Sequence, residues 1–219
     1  MSGPLLTLPG IRPPTPVADP SGAIYTPDSL ALAIARHVAP LASPAGTAVR
    51  VLEPSVGGGA FVRAARQVWP GASASITTGV DADPSAAGLS MVELPKVGDW
   101  PEVARSLTGP RFDVCLMNPP FGDAVGMAVT VAHVRAAIEA SNLTACILPC
   151  PYLTGAEFHD GAGKRHGGVL AKHPPARVLR VVDRPWPAVL REVLVFVWCR
   201  RLGELDDTFL VETLDWRRS

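Results

Sequence analysis

Charge is scarce in this chain, and what there is cancels. Asp, Glu, Lys and Arg make up 18% of 219 residues, and 20 basic side chains offset 20 acidic ones. That excludes a protein coated in positive charge, such as a nonspecific nucleic-acid binder, while leaving room for a local basic patch. No apolar run reaches the ~18 residues that mark a membrane span. The N-terminus also lacks the charged-then-apolar order of an export signal. A cytoplasmic protein with no membrane partner is expected. Cysteine is sparse too: Cys115, Cys146, Cys150 and Cys199 lie in or beside apolar runs, and none has zinc-ligand spacing to partner histidines. Reduced core thiols and no metal are the expectation. No internal repeat is evident.

Apolar residues are what the chain has in quantity, at 47%, enough for one domain with a full core. Residues 1–22 carry Pro4, Pro9, Pro13, Pro14, Pro16 and Pro20 with little apolar periodicity, which reads as a flexible, Pro-rich arm. Tyr25-Thr26-Pro27-Asp28 then opens a helix, with Thr26 as N-cap and Leu30, Ile34 and Val38 on one face, ending before Pro40. Strands and helices alternate from residue 47. Strands are expected at 49–52, 76–80, from 96, at 112–117, 143–148, 178–182 and 193–198. Helices are expected at 61–69, 84–94, 101–107 and 124–140, with irregular sequence over 150–176. This alternation predicts a Rossmann-like α/β fold, a mostly parallel sheet with helices on both faces. The last two strands, joined by a short link, should pair antiparallel.

Asn118-Pro119-Pro120-Phe121 follows the strand 112–117 and is a poor device for stability. Prolines cannot donate to a sheet ladder, and each restricts the residue before it to extended geometry. What the arrangement offers is a rigid polar pocket. The Asn118 side-chain oxygen and the Pro119 carbonyl can point at one planar NH2 group while Phe121 stacks on the ring carrying it. Two acceptors on the hydrogens of such a delocalised amine restore electron density to its nitrogen as it attacks an electrophile. The plain alternative is a strand ending in a Pro-rich turn.

A second group of residues describes a ligand pocket. Glu53-Pro54-Ser55-Val56-Gly57-Gly58-Gly59-Ala60-Phe61 follows the first strand, where glycines let the backbone approach a ligand at a helix N-terminus. Asp81 ends the second strand, where a carboxylate accepts from both hydroxyls of a ribose. Asp99-Trp100 ends the third and offers an acceptor for an adenine amine beside a flat surface. Each has a structural alternative: Asp81 or Asp99 as a helix cap, Trp100 as core. In order on consecutive strand ends they describe a site for an adenosine-containing ligand.

These motifs, with Tyr25-Thr26-Pro27 before the glycine turn, resemble those of class I S-adenosylmethionine-dependent methyltransferases. The chain is most similar to the gamma-type DNA adenine-N6 methyltransferases, over about residues 24–200. The resemblance implies a seven-stranded sheet with one antiparallel strand and S-adenosyl-L-methionine as cofactor. It implies that Glu53 and the glycines, Gly57 and Gly59 among them, face the methionine part, with Tyr25, Thr26, Pro54, Phe61 and Asn118 also touching the cofactor. Asp81 would face the ribose, and Asp99 and Trp100 the adenine. It also implies a target adenine swung out of its stack onto Phe121, with the methyl group passing in line to its nitrogen without a metal.

Trp186, within Asp183-Arg184-Pro185-Trp186-Pro187, stands where those enzymes carry a second aromatic for the flipped base, or is a packed tryptophan. The basic stretch Gly161–Gly168, holding Lys164 and Arg165, with Lys172 and Arg177 beyond, reads as a phosphate-contacting loop or as a plain solvated one. The chain departs from the family in having no separate target-recognition domain: residues 23–219 read as one methyltransferase domain, to which a partner subunit could add recognition. Three acceptors stay open: DNA, ribosomal or other RNA, and a glutamine amide of a protein. The Glu-Pro-Ser and Thr-Pro features favour DNA. A cofactor-binding, non-catalytic partner subunit is the non-enzyme alternative, and the intact Asn118 tetrad argues against it.

Overall fold

Two largely apolar segments of the chain become the central strands of one sheet, β4 (Phe112–Met117) and β5 (Ser141–Pro149). A computed structural model describes residues 24–42, 48–70, 75–107, 112–121, 126–149, 158–159, 165–166, 173–182, 185–186, 192–200 and 210–218. Alternate residues of the central strands feed two cores. Val114, Leu116, Leu143, Ala145 and Ile147 join one; Cys115, Met117, Cys146 and Leu148 join the other. A sheet covered on both faces needs strands that are apolar nearly throughout, and these are.

β1 (Val49–Glu53) and β2 (Ser75–Asp81) extend the sheet to an edge strand, β3 (Leu94–Val97). On the other side lie β9 (Val193–Cys199), β8 (Arg177–Val181) and β10 (Leu210–Leu214). The order is β10-β8-β9-β5-β4-β1-β2-β3. β9 runs antiparallel to both β5 and β8, as the short link predicts, and the other pairs of the sheet are parallel. β1 pairs with both β2 and β4. The chain leaves β1 toward one edge and β4 toward the other, so a crevice opens outside their carboxyl ends, where ligands bind in open α/β sheets.

α1 (Asp28–Ala42) and α2 (Ala60–Val68) cover one face through Leu30, Ile34, Val38, Phe61, Ala64 and Ala65. α4 (Met127–Ala140) covers the other with Val134, Ala137 and Ile138, beside Trp100 at the start of α3 (Trp100–Ser106).

Several expectations are corrected. Among the described residues the sheet has eight strands rather than seven, because Leu210–Leu214 pairs in parallel with β8. The helix expected at 84–94 is a 3-10 turn over Ala87–Met91 followed by β3. Asp83 draws in the Ser85 N–H and hydroxyl, and the Gly88 N–H donates to Gly57 O instead of to a helical carbonyl. α1 runs through Pro40 to Ala42. A proline this near the C-terminus removes only one bond of the last turn, and buried Ala42 anchors the end to the core. The 150–176 stretch holds a small hairpin, β6 (Phe158–His159) paired with β7 (Arg165–His166). The 1–22 arm, Lys164, Lys172, Asp183, Arg184 and Cys150 lie outside the described residues.

Candidate active site

The last residue of β1 is a carboxylate carried beneath a helix N-terminus. Glu53 is 3% exposed, and the backbone N–H groups of Phe61 and Val62 bond its carboxyl. Its Oε2 is buried with no partner. Burial pushes the carboxyl well above the usual carboxylate range, against the pull of those two N–H groups and of Arg63. A helix N-terminus favours a negative charge, yet one oxygen still lacks a donor. Pro54 beside it is buried.

The glycine turn is held from three sides. Gly57 N–H donates to Asp81 Oδ2 at 2.8 Å, so the end of β2 and the turn are one unit. Asp81 Oδ1 takes the Asp83 N–H at 3.0 Å. Gly59 caps α2 with φ +75°, a left-handed conformation that favours glycine. Gly88 packs so closely that a Cβ there would meet Val56 at 2.6 Å and Gly59 N at 2.9 Å. Arg63 donates to Gly58 O at 2.7 Å and pairs with Asp28 at the start of α1. Above the turn lies the Tyr25 ring, which a Cβ on Gly57 would meet at 3.0 Å.

Asn118 sits directly after β4. Its Nδ2 donates to Ile24 O at 3.3 Å, and its Oδ1 is buried with no partner. The orientation follows from chemistry, because the Ile24 carbonyl can only accept. Pro119 is buried and Pro120 half-buried. Thr130 of α4 donates its hydroxyl to Pro120 O at 2.7 Å, which fixes the turn from below. Phe121 is half-buried. Tyr25, Glu53, the glycines, Asp81 and Asn118 therefore gather around the carboxyl ends of β1, β2 and β4.

The other candidates have different surroundings. Trp100 offers no ring face: it is 1% exposed in the core, with Nε1 donating to His133 O at 3.2 Å. Phe61 contributes its backbone N–H to Glu53 while its side chain is core. Thr26 precedes the helix rather than capping it, because the first helical bond runs from Ala31 N–H to Pro27 O. Trp186 is no stacking surface either. It is 2% exposed, and its Nε1 donates to Tyr25 O at 2.7 Å, so it pins the segment before α1. Arg177 is paired with Glu212 at 3.1 Å instead of being held out for phosphate. Arg165 falls in β7, opposite His159. Asp99 is half-exposed and lies 3.3 Å from His133 Nε2.

Sequence reasoning missed Arg63, Gly88 and His133. A small-residue run, Ala86-Ala87-Gly88, was the only signal for the second, and a single histidine on an apolar helix gives none. Among the described residues no cluster suits a metal ion, and no helix is long and apolar enough to cross a membrane.

No protein-family model matches the chain, and no curated protein matches it significantly in sequence. Solved structures do match in shape. A Listeria monocytogenes protein assigned to the class I S-adenosylmethionine-dependent methyltransferases superposes on 87% of this chain, with a TM-score of 0.63 and 12% identity. The type I restriction-modification methyltransferase subunit from Streptococcus thermophilus covers 80% of it, at 0.61 and 14%. Human methyltransferase-like protein 13, solved with SAH, covers 82% at 0.50 and 16%. The chain spans 66% and 44% of the lengths of the first two. At these identities the likeness is one of architecture: the chain has the α/β fold of the class I S-adenosylmethionine-dependent methyltransferases.

Proposed function

We propose that this chain is an S-adenosylmethionine-dependent N-methyltransferase acting on the exocyclic N6 amine of adenine, in DNA ahead of RNA. Asn118 carries the reading. Its carboxamide oxygen, closed off from water and without a donor, stands at the carboxyl end of β4 where the strand order reverses. An unmatched buried acceptor costs about 1–3 kcal/mol, which a target NH2 offsets by donating to it. Asn118 Oδ1 would then hold one amine hydrogen and leave the nitrogen lone pair facing outward. The Nδ2 bond to Ile24 O keeps that oxygen from turning away, the two prolines restrict the backbone that carries it, and Phe121 would stack on the base.

The residues at the end of β1 and β2 fit the cofactor. Glu53 Oε2 is a buried acceptor awaiting a donor, suited to the ammonium of a methionine end. Each Asp81 oxygen takes one backbone N–H, which leaves lone pairs for ribose hydroxyls. When bound, the cofactor supplies a methyl group on a positively charged sulfur. The chain's own part is to bind, orient and exclude water.

The likeness to a type I restriction-modification methyltransferase subunit supports a DNA acceptor and a partner subunit that adds target recognition. Incubation with tritiated S-adenosylmethionine and separate DNA, RNA and protein pools tests the reading. Label recovered as N6-methyladenine in DNA is the expected result. Label only in RNA moves the acceptor, and label on a protein glutamine overturns the nucleic-acid reading. No label in any pool, with cofactor still bound, makes the chain a non-catalytic subunit.

A further inference from the structure

We propose that His133 is a positioning residue: it holds the Asp99 carboxylate where that carboxylate selects the adenine end of the cofactor. The inference rests on the reading above that the cofactor is S-adenosylmethionine. Asp99 stands at the N-cap of α3, a place where an Asp side chain ordinarily bonds the first free N–H groups of its own helix. Here the carboxylate makes no such bond, and the Asp99 backbone carbonyl alone takes the Glu102 and Val103 N–H groups at 3.0 Å. The side chain turns instead to α4, where its Oδ1 lies 3.3 Å from His133 Nε2.

The imidazole is itself fixed. Its ring is 5% exposed, and Nδ1 lies 2.9 Å from the Val129 carbonyl one turn back along α4. That carbonyl can only accept, so Nδ1 carries the hydrogen, and Nε2 attracts the carboxylate when it carries one as well. The His133 carbonyl in turn receives Trp100 Nε1, so the residue after Asp99 is tied to the same histidine. Gly98 N–H donates to Asp81 O at 2.8 Å, which sets this corner against the residue assigned to the ribose. With Nε2 carrying its hydrogen, one end of the carboxylate is held from the core while the side chain stays half-exposed after β3. The arrangement fixes a negative acceptor beside the ribose site. An adenine N6 amine donates to it, whereas the O6 of a hypoxanthine ring is an acceptor and is repelled.

Calorimetric titration with S-adenosylhomocysteine and with its hypoxanthine counterpart, S-inosylhomocysteine, reads this selection directly. The parent protein should prefer the adenine form roughly 10- to 100-fold, the value of one hydrogen bond to a charged group. His133→Phe keeps a ring in the core and removes the anchor, so the preference should fall to a few-fold. His133→Gln, which can still donate, should recover part of it. Asp99→Asn should lose the preference by itself, and adding His133→Phe should lose no more. A merely structural histidine would lower the affinity for both thioethers alike and leave their ratio untouched; that result in folded His133→Phe or His133→Gln overturns the proposal. A parent that binds both thioethers equally removes Asp99 from the adenine site, and the proposal with it, while the methyltransferase reading stands. A parent that binds neither overturns that reading as well.

Discussion

The two halves of the sheet treat their buried polar groups differently. At the carboxyl ends of β1 and β4, Glu53 and Asn118 each keep one buried oxygen without a donor. Around β8, β9 and β10 the comparable groups are matched. The Nε1 groups of Trp186, Trp198 and Trp216 donate to Tyr25, His173 and Val182 carbonyls, each at 2.7 Å, and Arg177 pairs with Glu212. His37 Nε2 lacks hydrogen-bond alignment but lies 3.3 Å from Glu212 Oε2. Ser141 Oγ, at the opposite end of β5, also lacks a nitrogen or oxygen partner and interacts with the buried Cys115 thiol instead. Native proteins leave few buried polar atoms unmatched. The two orphaned acceptors at the switch point are the ones that the proposed cofactor and target amine would complete, while the tryptophan bonds hold the architecture.

The sharpest way to break this comparison is Asn118→Ala. If the orphaned oxygen acts on the target amine, single-turnover transfer should fall roughly a hundredfold or more with cofactor affinity nearly unchanged. A variant keeping more than a tenth of parent turnover would make the Asn-Pro-Pro-Phe turn merely structural.

Glu53 gives two readouts of opposite sign. Glu53→Gln should weaken cofactor binding by roughly one to two decades, since it removes a charged acceptor. Without cofactor it should help the fold. Burial raises the Glu53 carboxyl, so the native state keeps a proton that the unfolded chain has released. That stability is full below the unfolded chain's carboxylate range and is lost as pH rises through the folded value. Thermal melts across roughly pH 4 to 8 should show this decline in the parent and a flatter profile in Glu53→Gln. An identical profile in both would mean the carboxyl is not held protonated by burial.

How much of this was legible in the sequence depended on whether a signal was local. The β4 strand and its turn could be read to the residue, because an apolar run that stops at Asn118-Pro119 has no other local solution. The glycine turn was equally plain. What failed was set by distant partners. Trp100 and Trp186 could each be read as a ring beside a ligand or as a packed tryptophan, and what decided between the two was a backbone carbonyl far along the chain that each one found in the core. The helix over 84–94 was lost to Gly88, whose N–H goes to Gly57 in the turn after β1. β10 escaped notice because Leu-Val-Glu-Thr-Leu is short and becomes a strand only by pairing with β8.

A smaller effect is expected in the basic stretch. If Lys164 and Arg165 contact phosphates, neutralising both should flatten the slope of log affinity against log salt by about 1 to 2. Unrelated DNA sequences should be weakened alike, since such contacts carry no base information. Fluorescence anisotropy across a salt series measures it, and an unchanged slope removes the loop from the interface.

The smallest effect should come from the matched half. Trp186→Phe keeps an aromatic ring in the core and removes only the Nε1 donor, leaving Tyr25 O without that partner. The loss should be near 1 kcal/mol of stability, the net worth of one neutral hydrogen bond. A ring that stacked on a flipped base would behave otherwise. Its replacement would lower the fluorescence rise of a 2-aminopurine placed at the target position, with little change in melting temperature. The burial of Trp186 predicts the reverse pattern: a small fall in melting temperature and an unaltered 2-aminopurine signal. Should the signal fall while the melt holds, Trp186 belongs with the site, and the line between the two halves has been drawn in the wrong place.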